Sequence, residues 1–127
     1  MRRAGRLEIG EENTGAAVRA GAARMVVLAA DASENARARA EGFLNGRRAL
    51  LVPLPYTKSE LSAMLGKSGC SMAACTDFGL SAAFLAALSE NSPDGRYGEL
   101  AQEMRRRADK AARRRDAKRK SGREHHE

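Results

Sequence analysis

The spacing of apolar and polar positions changes period several times along the chain. Met25 to Ala30 is a continuous apolar run, Met-Val-Val-Leu-Ala-Ala. A strand that is apolar on both faces is one covered on both sides, so this run predicts a central strand over Met25 to Ala29. The polar step at Asp31 places a loop and a helix start at the end of that strand, where ligands are commonly bound in an open α/β sheet. Ala49 to Pro53 repeats the buried-strand pattern and Pro53 ends it. Cys70 to Cys75 reads as a third strand, of residues small enough for a helix to pack tightly above it.

Helical patterns fill the intervals. Arg2 to Leu7 looks like the remainder of a short helix, broken by Ile9-Gly10. Glu11 to Ala20 reads as a helix with acidic residues in its first turn, where the macrodipole favours them, and Gly21 is its C-terminal cap. Gly15 inside it weakens the helix by roughly 1 kcal/mol relative to Ala. Asp31 and Glu34 have capping-box spacing and open a helix through about Leu44, closed by Asn45-Gly46. Thr57-Lys58-Ser59-Glu60 is a second capping box, for a helix to Leu65 with Gly66 as its stop. Thr76-Asp77 caps a last helix, Phe78 to Leu88. This alternation predicts an α/β fold with a parallel or mixed sheet and helices on both faces. No internal repeat is present.

Composition then divides the chain. Residues 1–90 form the predicted domain. Residues 91–95, Asn-Ser-Pro-Asp-Gly, are a linker by composition. Residues 96–127 are an arm of good helix formers without a clear apolar stripe, hence a solvated helix or a disordered segment. The net charge of +7 over 127 residues is placed unevenly. Residues 1–95 hold 11 Lys/Arg against 10 Asp/Glu, and residues 96–127 hold 12 against 6. The basicity therefore belongs to the arm, which seeks an anionic partner or stays solvated.

With 43% apolar residues but three Phe, two Tyr and no Trp, the core must be built from Ala, Leu and Val. No apolar run approaches the roughly 18 residues needed to cross a membrane, and no apolar segment follows the N-terminal arginines as a secretory signal would require. Cys70 and Cys75 stand five apart on what reads as one strand, on opposite faces, so a disulfide between them is disfavoured. Two thiols do not make a zinc site. A reduced, cytoplasmic protein is the simplest fit.

Catalytic patterns are weak. His125 and His126 sit in a polar tail without further ligands. No Ser or Cys has a nucleophile-elbow context. Gly66-Lys67-Ser68 resembles the end of a phosphate-binding loop, but the upstream Gly is missing and a helix precedes rather than follows it. Dipole complementarity explains the pair Glu11-Glu12. A binding role fits better. Three loops, Gly10 to Asn13, Asp31 to Asn35 and Lys67 to Cys70, are expected at one end of the domain. Helix N-termini there offer backbone N–H groups to phosphates or base edges, with Lys58 and Lys67 adding charge. The competing explanation is a plain surface turn with two solvated lysines.

Val-Leu-Ala-Ala-Asp-Ala-Ser-Glu-Asn (27–35), Leu65-Gly66-Lys67 and Thr76-Asp77-Phe78-Gly79-Leu80 together resemble the superfamily of kink-turn-binding ribosomal proteins, of the L-seven-Ae and L-thirty-e type, and its small bacterial branch in particular. The likeness spans about residues 2–89. It implies a three-layer α/β/α sandwich with a mixed sheet, no catalysis and no cofactor. It also implies binding to RNA bent sharply at an internal loop with sheared G·A pairs. By the same resemblance Gly10 opens the second helix, beside Glu11, and Glu12 and Asn13 hold the positions that read those pairs, in exchanged order. Ser33 follows the central strand, and Lys58 precedes the third helix. Lys67, Ser68, Gly69 and Cys70 form the loop that clasps a flipped nucleotide. Ala16 stands where many members have an RNA-contacting lysine, which removes one charge contact, and Glu12 brings negative charge toward phosphates. Kink-turn affinity is therefore expected to be weakened or altered.

The arm offers a second route. Arg105-Arg106-Arg107, Arg113-Arg114-Arg115 and Lys118-Arg119-Lys120 recur at seven to eight residues, which on a helix sets the clusters on roughly one side. Such an arm tracks structured RNA through phosphates without reading sequence. The expectation is a non-enzymatic, ribosome-associated RNA-binding protein, monomeric when free. Its partners would be structured, ribosomal RNA and ribosome-associated proteins. The alternative is a protein-interaction adaptor that touches RNA only through the arm, with Ala82, Ala83, Ala86 and Ala87 as a contact surface or core. A small-molecule enzyme would need a pocket of converging titratable groups.

Overall fold

Four short strands carry the architecture, and their burial follows their composition. A computed structural model of the chain describes residues 6–66, 70–92 and 94–125, with side chains described through residue 118. It divides into two compact units, residues 1–77 and 78–127. In the first, β1 (Leu7–Ile9), α1 (Glu11–Arg19), β2 (Met25–Leu28), α2 (Glu34–Leu44), β3 (Leu50–Pro53), α3 (Lys58–Leu65) and β4 (Met72–Cys75) follow one another. The sheet order is β1-β4-β2-β3. β2 and β3 are parallel, whereas β4 runs antiparallel to both β1 and β2. The fold is thus α/β with a mixed sheet.

The interior strands β2 and β4 are the apolar runs Met-Val-Val-Leu and Met-Ala-Ala-Cys, and all eight residues are buried. Val26, Leu28, Met72 and Ala74 share one face with α1 and α2, packing with Ala17, Val18, Ala36 and Ala40. Met25, Val27, Ala73 and Cys75 on the other face are buried too, so the interior strands are covered on both sides. β3 departs from expectation. It is an edge strand, half-buried at Leu50 and Leu51 and exposed at Pro53, where the missing N–H suits a sheet edge. Leu7 also departs. It belongs to β1, pairing with Cys75, rather than to a helix, because Leu7 and Ile9 flank Glu8 and β4 offers a free edge. Residues 2–5 of the expected helix lie outside the described residues.

Local signals account for most element ends. Thr57 and Glu60 make the reciprocal capping box, with Thr57 Oγ1 accepting from the Glu60 N–H at 3.2 Å and Glu60 Oε1 from the Thr57 N–H at 2.9 Å. Gly66 closes α3 in the left-handed conformation at φ 70°. The cap of α2 is displaced by two residues. Ser33, not Asp31, is the N-cap, its Oγ accepting from the Ala36 N–H at 3.1 Å. Asp31 is used across the chain instead, its Oδ1 accepting the Lys58 N–H at 2.7 Å. Cys70 precedes β4 rather than starting it, and both cysteines are buried free thiols.

The second unit pairs α4 (Phe78–Glu90) with α5 (Gly98–His125), joined by turns at Ser92–Gly95 and Gly95–Gly98. α4 buries Ser81, Ala82, Leu85 and Leu88. The arm is therefore a helix, and it does have a stripe. Tyr97 and Met104 are fully buried, and Leu100, Ala101, Arg107, Ala108, Ala111 and Ala112 are half-buried at three-to-four-residue spacing. Alanines conceal that stripe in the sequence, because they are small enough for close packing yet weakly apolar. Arg115, four residues after Ala111 on the same face, is exposed, so the anchored part of α5 ends near Ala112. Within the anchored part, Glu103 accepts from Arg106 Nη2 at 2.6 Å and from Arg107 Nε at 2.7 Å. The Arg106 hydrogen bond, then that of Arg107, holds the Glu103 carboxyl below its ordinary range.

Candidate nucleic-acid interface

Strand directions decide which loops meet. Ile9 pairs with Ala73, and Leu28 pairs with both Met72 and Pro53. The outgoing ends of β1, β2 and β3 therefore meet the incoming end of β4. Backbone hydrogen bonds lace this end together. Gly10 N–H donates to the Met72 carbonyl at 3.0 Å, Ala29 N–H to Ser71 at 2.8 Å, and Ala30 N–H to Tyr56 at 2.7 Å. The starts of α1, α2 and α3 all lie here. The segments 10–13 and 31–35 and the residues flanking 67–69 are brought together, and the loop after β3 joins them. Lys67, Ser68 and Gly69 themselves lie outside the described residues.

The polar groups at this end are largely committed to the fold. Ser33 Oγ caps α2, and the capping box and Asp31 occupy the start of α3. Asn13 Nδ2 donates to the Ile9 carbonyl at 3.0 Å. Glu11 is ion-paired with Arg39. Cys70 is buried, its N–H donating to Ser62 Oγ at 3.0 Å and its thiol to the Met72 carbonyl at 3.3 Å. The Lys58 side chain is exposed, as is Glu12. Of the three helix starts only that of α1 has no side-chain cap; Gly10 opens it at φ 96°.

Five carboxylates, Glu11, Glu12, Asp31, Glu34 and Glu60, stand at this end with the cations Lys58, Arg37 and Arg39, the last ion-paired with Glu11. Each carboxylate suits a helix N-terminus, and among the described residues together they leave this end with an acidic excess, a property the sequence reading missed. The signal existed: every acidic residue that opens a helix in residues 1–66 is counted once the helix starts are known to be neighbours. On α5, Arg106 and Arg107 are tied to Glu103 and Arg105 lies 3.9 Å from Asp109. Arg113, Arg114 and Arg115 are exposed, and no carboxylate among the described residues pairs with them. No group of three His, Cys, Asp or Glu is arranged to hold a metal, and no helix is long and apolar enough to cross a membrane, among the described residues.

No protein-family model matches this chain, and no curated protein does. A solved structure of a protein with unknown function from Bacillus halodurans is similar, with 25% sequence identity and a TM-score of 0.58 over 67% of this chain and 84% of that one. The likeness places the α/β fold among solved structures.

Proposed function

We propose that this chain is a non-enzymatic, cytoplasmic RNA-binding protein that works with the ribosome and holds structured RNA chiefly through its phosphates. The observation that carries the reading is the free half of α5, where Arg113, Arg114, Arg115 and Lys118 are exposed beyond the anchored stripe. A helix this basic, without ion pairs on its triple arginine among the described residues, suits counterion release from a phosphate backbone rather than base reading. The uncapped start of α1 at Gly10 supplies backbone N–H donors of the kind that accept a phosphate or a base edge. The resemblance to kink-turn-binding proteins names the RNA shape.

The test compares a kink-turn RNA duplex with a straight duplex of equal length at two salt concentrations. Binding to both that falls steeply with salt supports the reading, and a preference for the bent duplex assigns the loop end a part in it. Absence of binding to either at about 50 mM salt sinks it. The acidic excess at the loop end favours a second reading, a protein-interaction adaptor in which only α5 touches RNA. Partners captured equally well before and after nuclease treatment would support that alternative.

A further inference from the structure

The opposite end of the same sheet carries the opposite charge. Thr76 N–H donates to the Arg6 carbonyl at 2.9 Å, and Arg24 N–H to the Cys75 carbonyl at 2.7 Å. Leu50 N–H donates to the Arg24 carbonyl at 3.3 Å. These bonds set the incoming ends of β1, β2 and β3 along one end of the sheet, with the outgoing end of β4 between β1 and β2, and place Arg6, Arg24 and the pair Arg47-Arg48 there. Arg19 lies in the last turn of α1, with its guanidinium turned back beside Gly15. Arg6, Arg19, Arg47 and Arg48 are exposed and Arg24 is half-buried. Among the described residues no carboxylate pairs with Arg6, Arg19 or Arg47. The acidic residues of this unit at or near this end are Asp77, Glu41 and Glu8, of which Glu8 is two residues from Arg6 in the middle of β1.

Helix dipoles explain part of this. Arg19 complements the C-terminus of α1, and Arg47, whose N–H donates to the Leu44 carbonyl at 2.9 Å, stands at that of α2; Arg6 and Arg24 stand directly before strands, where no macrodipole requires a cation. From these positions we infer that the strand-entry end of the first unit is an RNA-phosphate-binding surface, at the opposite end of the sheet from the loop end and made of residues other than those of α5. Arg24 and the Arg47-Arg48 pair precede neighbouring strands about 4.8 Å apart, whereas Arg6 stands two strands, roughly 10 Å, from Arg24. Guanidinium groups spread along this end offer bidentate contacts to phosphates along a strand of RNA, and the acidic excess at the far end disfavours the RNA backbone there. The inference rests on the RNA-binding reading for its choice of partner and adds to it a surface that the loop geometry does not predict.

The experiment uses the full chain and a straight RNA duplex, with affinity measured from about 50 to 200 mM salt. The variant Arg6→Gln/Arg47→Gln removes two exposed charges, and Arg6→Lys/Arg47→Lys keeps them. If both residues contact phosphates, the glutamine variant shows a slope of log affinity against log salt shallower by about two. Its loss of affinity across that salt range is then roughly tenfold smaller than that of the parent chain. The lysine variant stays close to the parent slope. An unchanged slope and affinity in the glutamine variant, with RNA still bound, overturns this surface while leaving the RNA reading standing. Failure of the parent chain to bind RNA overturns both. Equal weakening toward polyglutamate and toward RNA overturns it in favour of an acidic protein partner. Should the glutamine variant fail to fold, the arginine Nε–H resonances of the parent chain decide the matter: on RNA addition, shifts at Arg6 and Arg47 support the surface and their absence overturns it.

Discussion

Gly15 lies under the end of the Phe43 ring. A Cβ at that position would meet ring carbons at 2.8 and 2.9 Å, and the Arg19 guanidinium at 3.2 Å. Its helix cost, visible in the sequence, is thus exchanged for close approach of α1 to α2, which no local signal reveals because Phe43 is 28 residues away. Gly15→Val is expected to destabilise the protein by about 1–3 kcal/mol through overpacking. Phe43→Leu in the same chain should recover part of that loss, so a double-mutant cycle by chemical denaturation should report a coupling energy. Additive effects would remove Phe43 as the reason for the glycine. The caps divide in the same way. Thr57-Glu60 was legible because both partners are local. Asp31 was misplaced because its partner, the Lys58 N–H, belongs to the next helix but one along the chain.

Among the elements, α5 differs most from its sequence. Charge content alone describes it as a solvated or disordered arm, whereas burial divides it into an anchored half and a free half. The anchor depends on Tyr97 and Met104, both fully buried, with alanines filling the intervening turns. Met104→Ala is expected to cost about 2–5 kcal/mol, measured by thermal or denaturant unfolding followed by circular dichroism. Arg115→Ala, on the same helical face but exposed, should fall within about 0.5 kcal/mol of the parent chain. Equal effects of the two substitutions would refute the division at Ala112. β1 and β3 were misjudged for a related reason. A strand of three residues has too little sequence to show a period, and an apolar run cannot say whether it lies inside a sheet or at its edge.

For the whole molecule the relevant quantity is where charge lies. Residues 1–95 are almost balanced in sequence, yet the first unit has an acidic excess at its loop end and a cationic strand-entry end. In the second unit, the free half of α5 is basic. Ending the chain after Ala112 removes Arg113, Arg114, Arg115 and Lys118 with the segment that follows. It should weaken binding to bent and straight RNA by a similar factor and flatten the salt dependence. A loss confined to one RNA shape would mean that the segment recognises structure rather than phosphate.

The apolar central strands, the α3 capping box, the glycine stops and the total charge of each region follow from residues a few positions apart and so are legible without the fold. Tertiary structure alone decided that β3 and β1 lie at the sheet edges, that Gly15 receives Phe43, and that α5 is anchored over half its length. It also decided the polarity of the first unit. Parallel and antiparallel pairing brings three helix starts to one end and three strand entries to the other, so residues scattered from Arg6 to Arg48 come to line one end of the sheet through backbone hydrogen bonds that no local pattern encodes.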